Sequence, residues 1–354
     1  MLRPLVPILL CAAPALADPP RVVTDIAPVH GLMSMVMDGV GAPELLVPPG
    51  SSPHHVTLRP SEARMLTQAE MIVWVGSALT PWMADAVSAH AGEATVVTFM
   101  EIEGVRLLET RENALFVGHE DHAQDDDHAH DKEHAHGEEH AQDEDHADHA
   151  HDEEHAHDEE HADGAAHAQN GEEQNGTHGH DHAGGMDPHV WLDPDNAIAL
   201  IRVAADRLAG VDPENADRYA QNAADAQARI EEVAQRIEEQ MSGLSETRYL
   251  VLHDAYQYFD TQFGLTPLGA VTDSADERPG AARIAELIEV VRNDPPRCAF
   301  GEPGSSPAML ETVTEGLDVR IEELDPLGAD IARGPDYYPA LLAQLADRLA
   351  GCLD

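Results

Sequence analysis

The chain has 354 residues, enough for two domains of ordinary size, with 67 aspartates and glutamates against 20 lysines and arginines and a formal net charge of −47. So acidic a surface repels phosphate backbones and anionic lipid, which excludes nucleic acid as a partner, and it draws cations from every side. Beyond the N-terminus no apolar run approaches the roughly 20 residues a membrane-spanning helix needs, which excludes direct membrane insertion.

The first segment is a targeting signal. Arg3 precedes "LVPILLCAAPALA", which ends in the small-x-small triplet Ala15-Leu16-Ala17. This predicts a signal peptide over residues 1–17, a mature chain beginning near Asp18 and export to the periplasm. Lipid attachment at Cys11 is disfavoured because Leu10 stands where a small residue is required. With Cys11 removed, Cys298 and Cys352 remain in a compartment where disulfides persist. Either they pair, tying the C-terminus to a strand, or they are two separately buried thiols; the pair is the simpler reading.

Short apolar runs then alternate with amphipathic ones. "RVVTDI" (21–26), "ELLVPPG" (44–50), "MIVWVG" (71–76) and "ATVVTF" (94–99) read as buried strands that end in turn residues. Between them, helices are expected over Val29–Val40, after Pro60 in "RPSEARMLTQAE", and in "PWMADAVSAHA". Alternation of this kind predicts a mostly parallel sheet wrapped by helices.

A tract of another composition follows. Between His119 and His182 lie 17 of the 23 histidines and 23 carboxylates against one lysine, a formal charge of −22 that leaves −25 for the rest. A stretch such as "DHAHDEEHAHDEEHA" (148–162) has too little apolar surface to offset the entropy of ordering, so a disordered loop is expected. His-Ala-His pairs at His128 and His130, His134 and His136, His149 and His151, and His155 and His157 let two imidazoles share one ion. We read them as weak accessory metal sites that collect or buffer the ion. The plainer alternative is a solvated acidic loop that binds metal incidentally.

After the tract, "DPHVWLDPDNAIALIRVAADRLAG" predicts a turn and a helix ending at Gly210. The segment from Pro213 then places Tyr219, Ala223, Ala226, Ile230, Val233 or Ala234, Ile237 and Met241 three and four apart. That is one helix of roughly 40 Å at 1.5 Å per residue. "RYLVLHD" (248–254), "LTPLGAV" (265–271), "CAFGEP" (298–303) and "VRIEEL" (319–324) are strands of a second lobe. The expected fold is α/β, with two Rossmann-like lobes of parallel sheet flanked by helices and joined by one long rigid helix. The expected organisation is an N-terminal lobe over 18–212 containing the loop 119–182, a linking helix over 213–243 and a C-terminal lobe over 244–354.

Ligands of parallel sheets bind beyond the carboxyl ends of the strands. His54, His189 and His253 all stand where a strand or turn meets a loop, in both lobes, and together point to metal ligation. Three imidazoles and one oxygen suit Zn²⁺ without redox chemistry, manganese would prefer more carboxylate, and copper is chemically possible. Asp193 and Asp254 would either orient these rings or cap turns. Glu302 would line the cleft or cap the following helix. Trp74, Trp82 and Trp191 read as packing, with Trp191 able to seal the cleft, and His30 and His90 as structural. There is no HExxH, nucleophile elbow or phosphate-binding glycine loop, so no enzymatic activity is expected.

"SPHHVTLRPSEARML", "HVWLDP", "VLHDAYQYFDTQFGLTPLG" and "LDPLGADIARGPDYYPALLAQLADRLAGCL" together resemble the periplasmic zinc-binding proteins of bacterial ABC importers, over nearly the whole mature chain. The resemblance implies a zinc site in the cleft between the lobes, a histidine-rich loop in this place and a disulfide in the second lobe. It also implies delivery of Zn²⁺ to the membrane permease of an importer, here by a monomer. Carried over by position, the ligands are His54, His189 and His253. A fourth is Asp325 near "LDPLG", with water or His55 as rivals. Related manganese binders carry a carboxylate where His253 stands, which argues against manganese. The alternative functions are a periplasmic zinc store or buffer, or a manganese-type importer component. Zinc affinity is expected to fall as pH drops through the histidine range.

Overall fold

The computed structural model describes residues 18–111, 185–272 and 279–354. The signal peptide and the His-Ala-His pairs expected from the sequence lie outside these residues. Four strands form the first sheet: β1 (Val22–Thr24), β2 (Glu44–Leu45), β3 (Met71–Trp74) and β4 (Thr95–Thr98), in the order β2-β1-β3-β4. Four more form the second: β5 (Tyr249–His253), β6 (Gly269–Thr272), β7 (Cys298–Gly301) and β8 (Arg320–Glu323), in the order β6-β5-β7-β8. Every pairing within both sheets is parallel. The helices are α1 (Ala27–Val36), α2 (Pro60–Gln68), α3 (Pro81–His90), α4 (Pro194–Val211), α5 (Ala216–Met241), α6 (Gln257–Phe263), α7 (Ala281–Asn293), α8 (Ala308–Val313) and α9 (Tyr337–Leu353).

The central strands are buried along their whole length because helices cover both faces of each sheet. The two-residue period of a strand then sorts side chains between two cores. Val22, Met71, Val73, Tyr249, Val251 and Phe300 pack into one large core that runs through both lobes. Their neighbours in sequence point the other way, Val23, Ile72 and Trp74 into a core of the first lobe and Leu250, Leu252 and Ala299 into one of the second. His253 has the parity of Tyr249 and Val251, so its ring faces the seam between the lobes.

Helices α1, α4, α5 and α9 supply most of the rest of the shared core. All ten residues of α1 are buried. At Gly31 a Cβ would lie 2.6 Å from Cδ1 of Tyr337, so glycine lets α1 and α9 approach closely. On α5 the buried stripe is Tyr219, Asn222, Ala223, Ala226, Ile230, Val233, Ile237 and Met241, which resolves the choice between Val233 and Ala234 and adds one polar residue. Asn222 fits because its amide donates to the carbonyls of Val36 and Asp38, each at 2.8 Å.

Several boundaries differ from the sequence reading, among them that of β6, Gly269–Thr272 where 265–271 was expected. Helix α1 starts at Ala27 because Pro28 is tolerated in the first turn, and it ends at Val36, before the left-handed Gly39 at φ 75°. Residues 213–215 form a 3₁₀ turn ahead of α5 rather than its first turn. Of "ELLVPPG" only Glu44 and Leu45 form strand; the N–H groups of Leu46 and Val47 still donate to the carbonyls of Thr24 and Asp25 at 2.9 Å, and Pro48 and Pro49 beyond them cannot donate.

Cys298, at the start of β7, is disulfide-bonded to Cys352 in the last turn of α9, with Cα atoms 6.1 Å apart, so the reading as separate thiols is set aside. The bond closes a loop over a separation of 54 residues. Replacing both cysteines with alanine is therefore expected to lower the unfolding free energy by about 2–4 kcal/mol in urea titrations.

A second stability term lies at the end of β1. The Asp25 carboxylate accepts from the backbone N–H of Ile26 and of Val75, each at 2.8 Å, and so ties β1 to β3. Burial opposes its charge more strongly than these donors favour it, and its pKa is pushed up to about 7. The folded state then holds a proton that the unfolded chain, with its aspartates near their ordinary 3.8, releases earlier. This contribution is complete below about pH 4 and is lost as pH rises through about 7. The wild-type chain should gain stability relative to Asp25→Asn as pH is lowered from 7.5 to 5.5, measured by urea unfolding at both values.

Candidate metal centre

His253 is the last residue of β5, and the register fixes what lies beside it. Tyr249, Leu250 and Val251 pair with Cys298, Ala299 and Phe300, and the same offset puts Glu302 opposite His253. Nδ1 of His253 donates to Oε1 of Glu302 at 2.8 Å. Burial alone would push the His253 pKa down, but the neighbouring Glu302 carboxylate and its hydrogen bond carry it above the ordinary value. Nε2 of His253 is buried and has no hydrogen-bond partner among the described residues.

His189 is placed by local geometry. It precedes the 3₁₀ turn Val190–Leu192, whose following residue, Asp193, caps α4 by accepting from Asp195 N–H at 2.9 Å, with Pro194 at the first helical position. Asp187 folds back so that Oδ1 accepts the backbone N–H of His189 at 2.9 Å and its ring Nδ1–H at 2.7 Å. Because that oxygen already takes a backbone N–H, it is an acceptor, and the ring nitrogen must be the donor. Burial holds the His189 pKa well below its usual value, so the ring is neutral at neutral pH. Burial likewise pushes Asp187 up to about 7, against the pull of the His189 N–H and of Arg111.

His54 comes from the loop after β2. Trp82, near the start of α3, donates its indole N–H to the Pro53 carbonyl at 2.9 Å and so holds the loop one residue before the imidazole. The His54 ring centre lies 6.1 Å from that of His189 and 5.8 Å from that of His253, while His189 and His253 are 5.0 Å apart. One ring nitrogen from each of the three lies within 4.8 Å of the others. With both buried Nδ1 atoms engaged, Nε2 is the nitrogen His189 and His253 offer. Tetrahedral zinc with three imidazoles needs nitrogens about 3.4 Å apart, from bonds of about 2.0–2.1 Å, so small shifts would complete the geometry.

The rings face a cavity of about 290 Å³ between the lobes. Trp191 forms part of its wall, 1% exposed, with its indole N–H on the Pro326 carbonyl at 2.9 Å and its ring 5.2 Å from His189. Asp325 also lines the cavity, but it is not among the ring nitrogens' cluster. Its two oxygens accept the backbone N–H groups of Leu327 at 2.8 Å and Ala329 at 2.6 Å, which fold the loop over the site. His55 is exposed and does not line the cavity.

The sequence profile of the family described as zinc-uptake complex component A, periplasmic, or ZnuA, matches residues 22–352. The chain belongs to the ZnuA family. It is 40% identical to the high-affinity zinc uptake system protein ZnuA of Paracoccus denitrificans and 36% identical to that of Brucella abortus. Each alignment covers 97% of this chain and 94% of the relative. Among solved structures, a ZnuA crystal structure superposes with a TM-score of 0.67 at 18% identity, over 95% of this chain and all of the other. The Zn(II)-bound ZnuA-like domain of Streptococcus pneumoniae AdcA gives 0.60 at 19% identity, over 95% of this chain and 99% of that domain. At that identity these two carry the fold, and they carry it over both lobes of this ZnuA-family chain.

The remaining residues singled out from sequence have other partners. Asp193 caps α4 and pairs with Arg106 at 2.6 Å, and Asp254 pairs with Arg111 at 3.4 Å. His30 is buried with Nε2 3.1 Å from the Pro43 carbonyl, a structural role. Glu302 lines the cleft and orients His253, the less expected of its two readings. Asp187 was not singled out at all. Its signal was the spacing Asp-x-His in "MDPHVW", with the carboxylate two residues ahead of the ring. Long-range ¹H–¹⁵N NMR on the metal-free chain is expected to show the proton of both His189 and His253 on Nδ1, with Glu302→Gln moving the His253 signals and leaving those of His189 in place.

Proposed function

We propose that this chain captures Zn²⁺ in the cleft between its lobes and delivers it to the membrane permease of an ABC-type zinc importer. The observation that carries the reading is the convergence of His54, His189 and His253, drawn from three separate segments, with the two buried rings oriented by carboxylates. Outer carboxylates of this kind fix the ring orientation and raise the basicity of the ligating nitrogen. Membership of the ZnuA family and the names of the Paracoccus and Brucella relatives agree in metal and in process.

Three neutral imidazoles favour zinc over manganese, which prefers oxygen donors. The fourth position falls to Asp325 or water. For Asp325 a lone pair beyond those turned to Leu327 and Ala329 would have to reach the ion; His55 is the poorer rival because of its exposure. The protein works as a binding component without catalysis of its own. It is exported by residues 1–17 and acts in the periplasm as a monomer; among the described residues no helix is long and apolar enough to cross a membrane. The histidine-rich tract over 119–182 serves as an accessory collector.

Zinc titration by calorimetry, on the full chain and on one lacking residues 119–182, tests this. A single tight site should survive removal of the tract. Alanine at His54, His189 or His253 should weaken it by more than the roughly 10–100-fold typical of losing an outer partner. Tight binding that vanishes with the tract and ignores the three histidines would instead identify a zinc store.

A further inference from the structure

The chain leaves the first lobe through residues 105–111 and returns through residues 185–189, and these two arms are joined. Glu109 and Met186 form an antiparallel bridge, Thr110 N–H donates to Gly185 O at 2.9 Å, and Asp187 N–H donates to Leu108 O at 2.8 Å. The Tyr258 hydroxyl locks the same junction, accepting from Leu108 N–H at 3.0 Å and donating to Asp187 O at 2.9 Å. The returning arm therefore delivers Asp187, and with it His189, in a fixed position.

On the outgoing arm lies Arg111, whose side chain is only 17% exposed. Its guanidinium spans two carboxylates of the second lobe, with Nη1 3.4 Å from Asp254 Oδ1 and Nη2 3.1 Å from Asp260 Oδ2. Asp254 directly follows His253. Asp260 also accepts from the hydroxyl of Tyr249, the first residue of the strand that His253 ends. One partly buried cation thus grips both ends of β5 from the arm that is in register with Asp187.

We propose that Arg111 is a positioning residue for the metal centre: by clamping Asp254 and Asp260 across the lobe seam it holds the His253 and His189 rings at a common ligating distance. A planar two-pronged guanidinium can bridge two carboxylates in fixed geometry, which a lysine ammonium cannot. The proposal rests on the zinc-capture reading, because it assigns Arg111 a part in that same site.

The test is competition for one equivalent of zinc between a fluorescent chelator and the full chain, comparing wild type, Arg111→Lys and Arg111→Ala, with apo melting temperatures alongside. The expected result is a loss of zinc affinity of about 10–100-fold in Arg111→Ala, of the size seen on removing outer-shell partners, with a smaller loss in Arg111→Lys. A purely structural arginine would lower the melting temperature and leave the affinity of the folded protein within twofold of wild type, which overturns the proposal. Should Arg111→Ala not fold, Arg111→Lys decides by the same criterion. An equal loss in chains already lacking the three histidines also overturns it, since Arg111 would then act elsewhere. If wild type shows no tight site dependent on those histidines, the zinc-capture reading is at fault. The Nδ1–H signals of His189 and His253 in the metal-free chain then decide for Arg111: displaced by Arg111→Ala they support positioning, and unmoved they refute it.

Discussion

Two imidazoles buried at the seam between two parallel sheets each need a hydrogen-bond partner that fixes the ring, and that requirement organises the surrounding structure. A ring nitrogen desolvated without a partner costs free energy comparable to a lost hydrogen bond. Each buried ring therefore brings a carboxylate with it, Asp187 for His189 and Glu302 for His253. Engaging Nδ1 leaves Nε2 as the other nitrogen of each ring, and that of His253 is buried with no hydrogen-bond partner among the described residues. Those two carboxylates differ in origin. Glu302 arrives by sheet register from the neighbouring strand, whereas Asp187 arrives by a tight turn two residues from the ring it serves.

The seam tolerates this polar chemistry because what surrounds it is rigid. A single apolar core runs through both lobes, with α1 wholly buried and α5 and α9 packed along it. Side chains reach across the lobes to backbone acceptors: Tyr338 donates to Trp191 O at 2.7 Å and Trp191 to Pro326 O at 2.9 Å. Lobes tied in this way move by small shifts of loops rather than by a wide hinge. A site whose ligand atoms already lie within 4.8 Å of one another needs little more.

The site also has an asymmetry. His189 and His253 are 4% and 3% exposed, while His54 is partly exposed on a loop steadied by Trp82. Two of the three rings are thus built into the scaffold and one is carried on a loop.

The sequence by itself determined the element pattern. Continuous apolar runs ending in turn residues located the strands of both sheets, and a spacing of three and four located the long helix, because both are local properties of the chain. Helix ends were less legible where tertiary contact decided them, as at α1, whose all-round burial erases any polar face that could mark a boundary. The three histidines were legible as residues where a strand or turn meets a loop, although only His253 ends a strand, and the resemblance to a known family named them. Only the tertiary structure decided how they meet. The pairing register that sets Glu302 beside His253, the turn that brings Asp187 under His189, and the amides that occupy Asp325 depend on contacts between segments distant in sequence or on turn geometry. Neither is encoded in a hydrophobic period, which records which face of an element is buried and not what it is buried against.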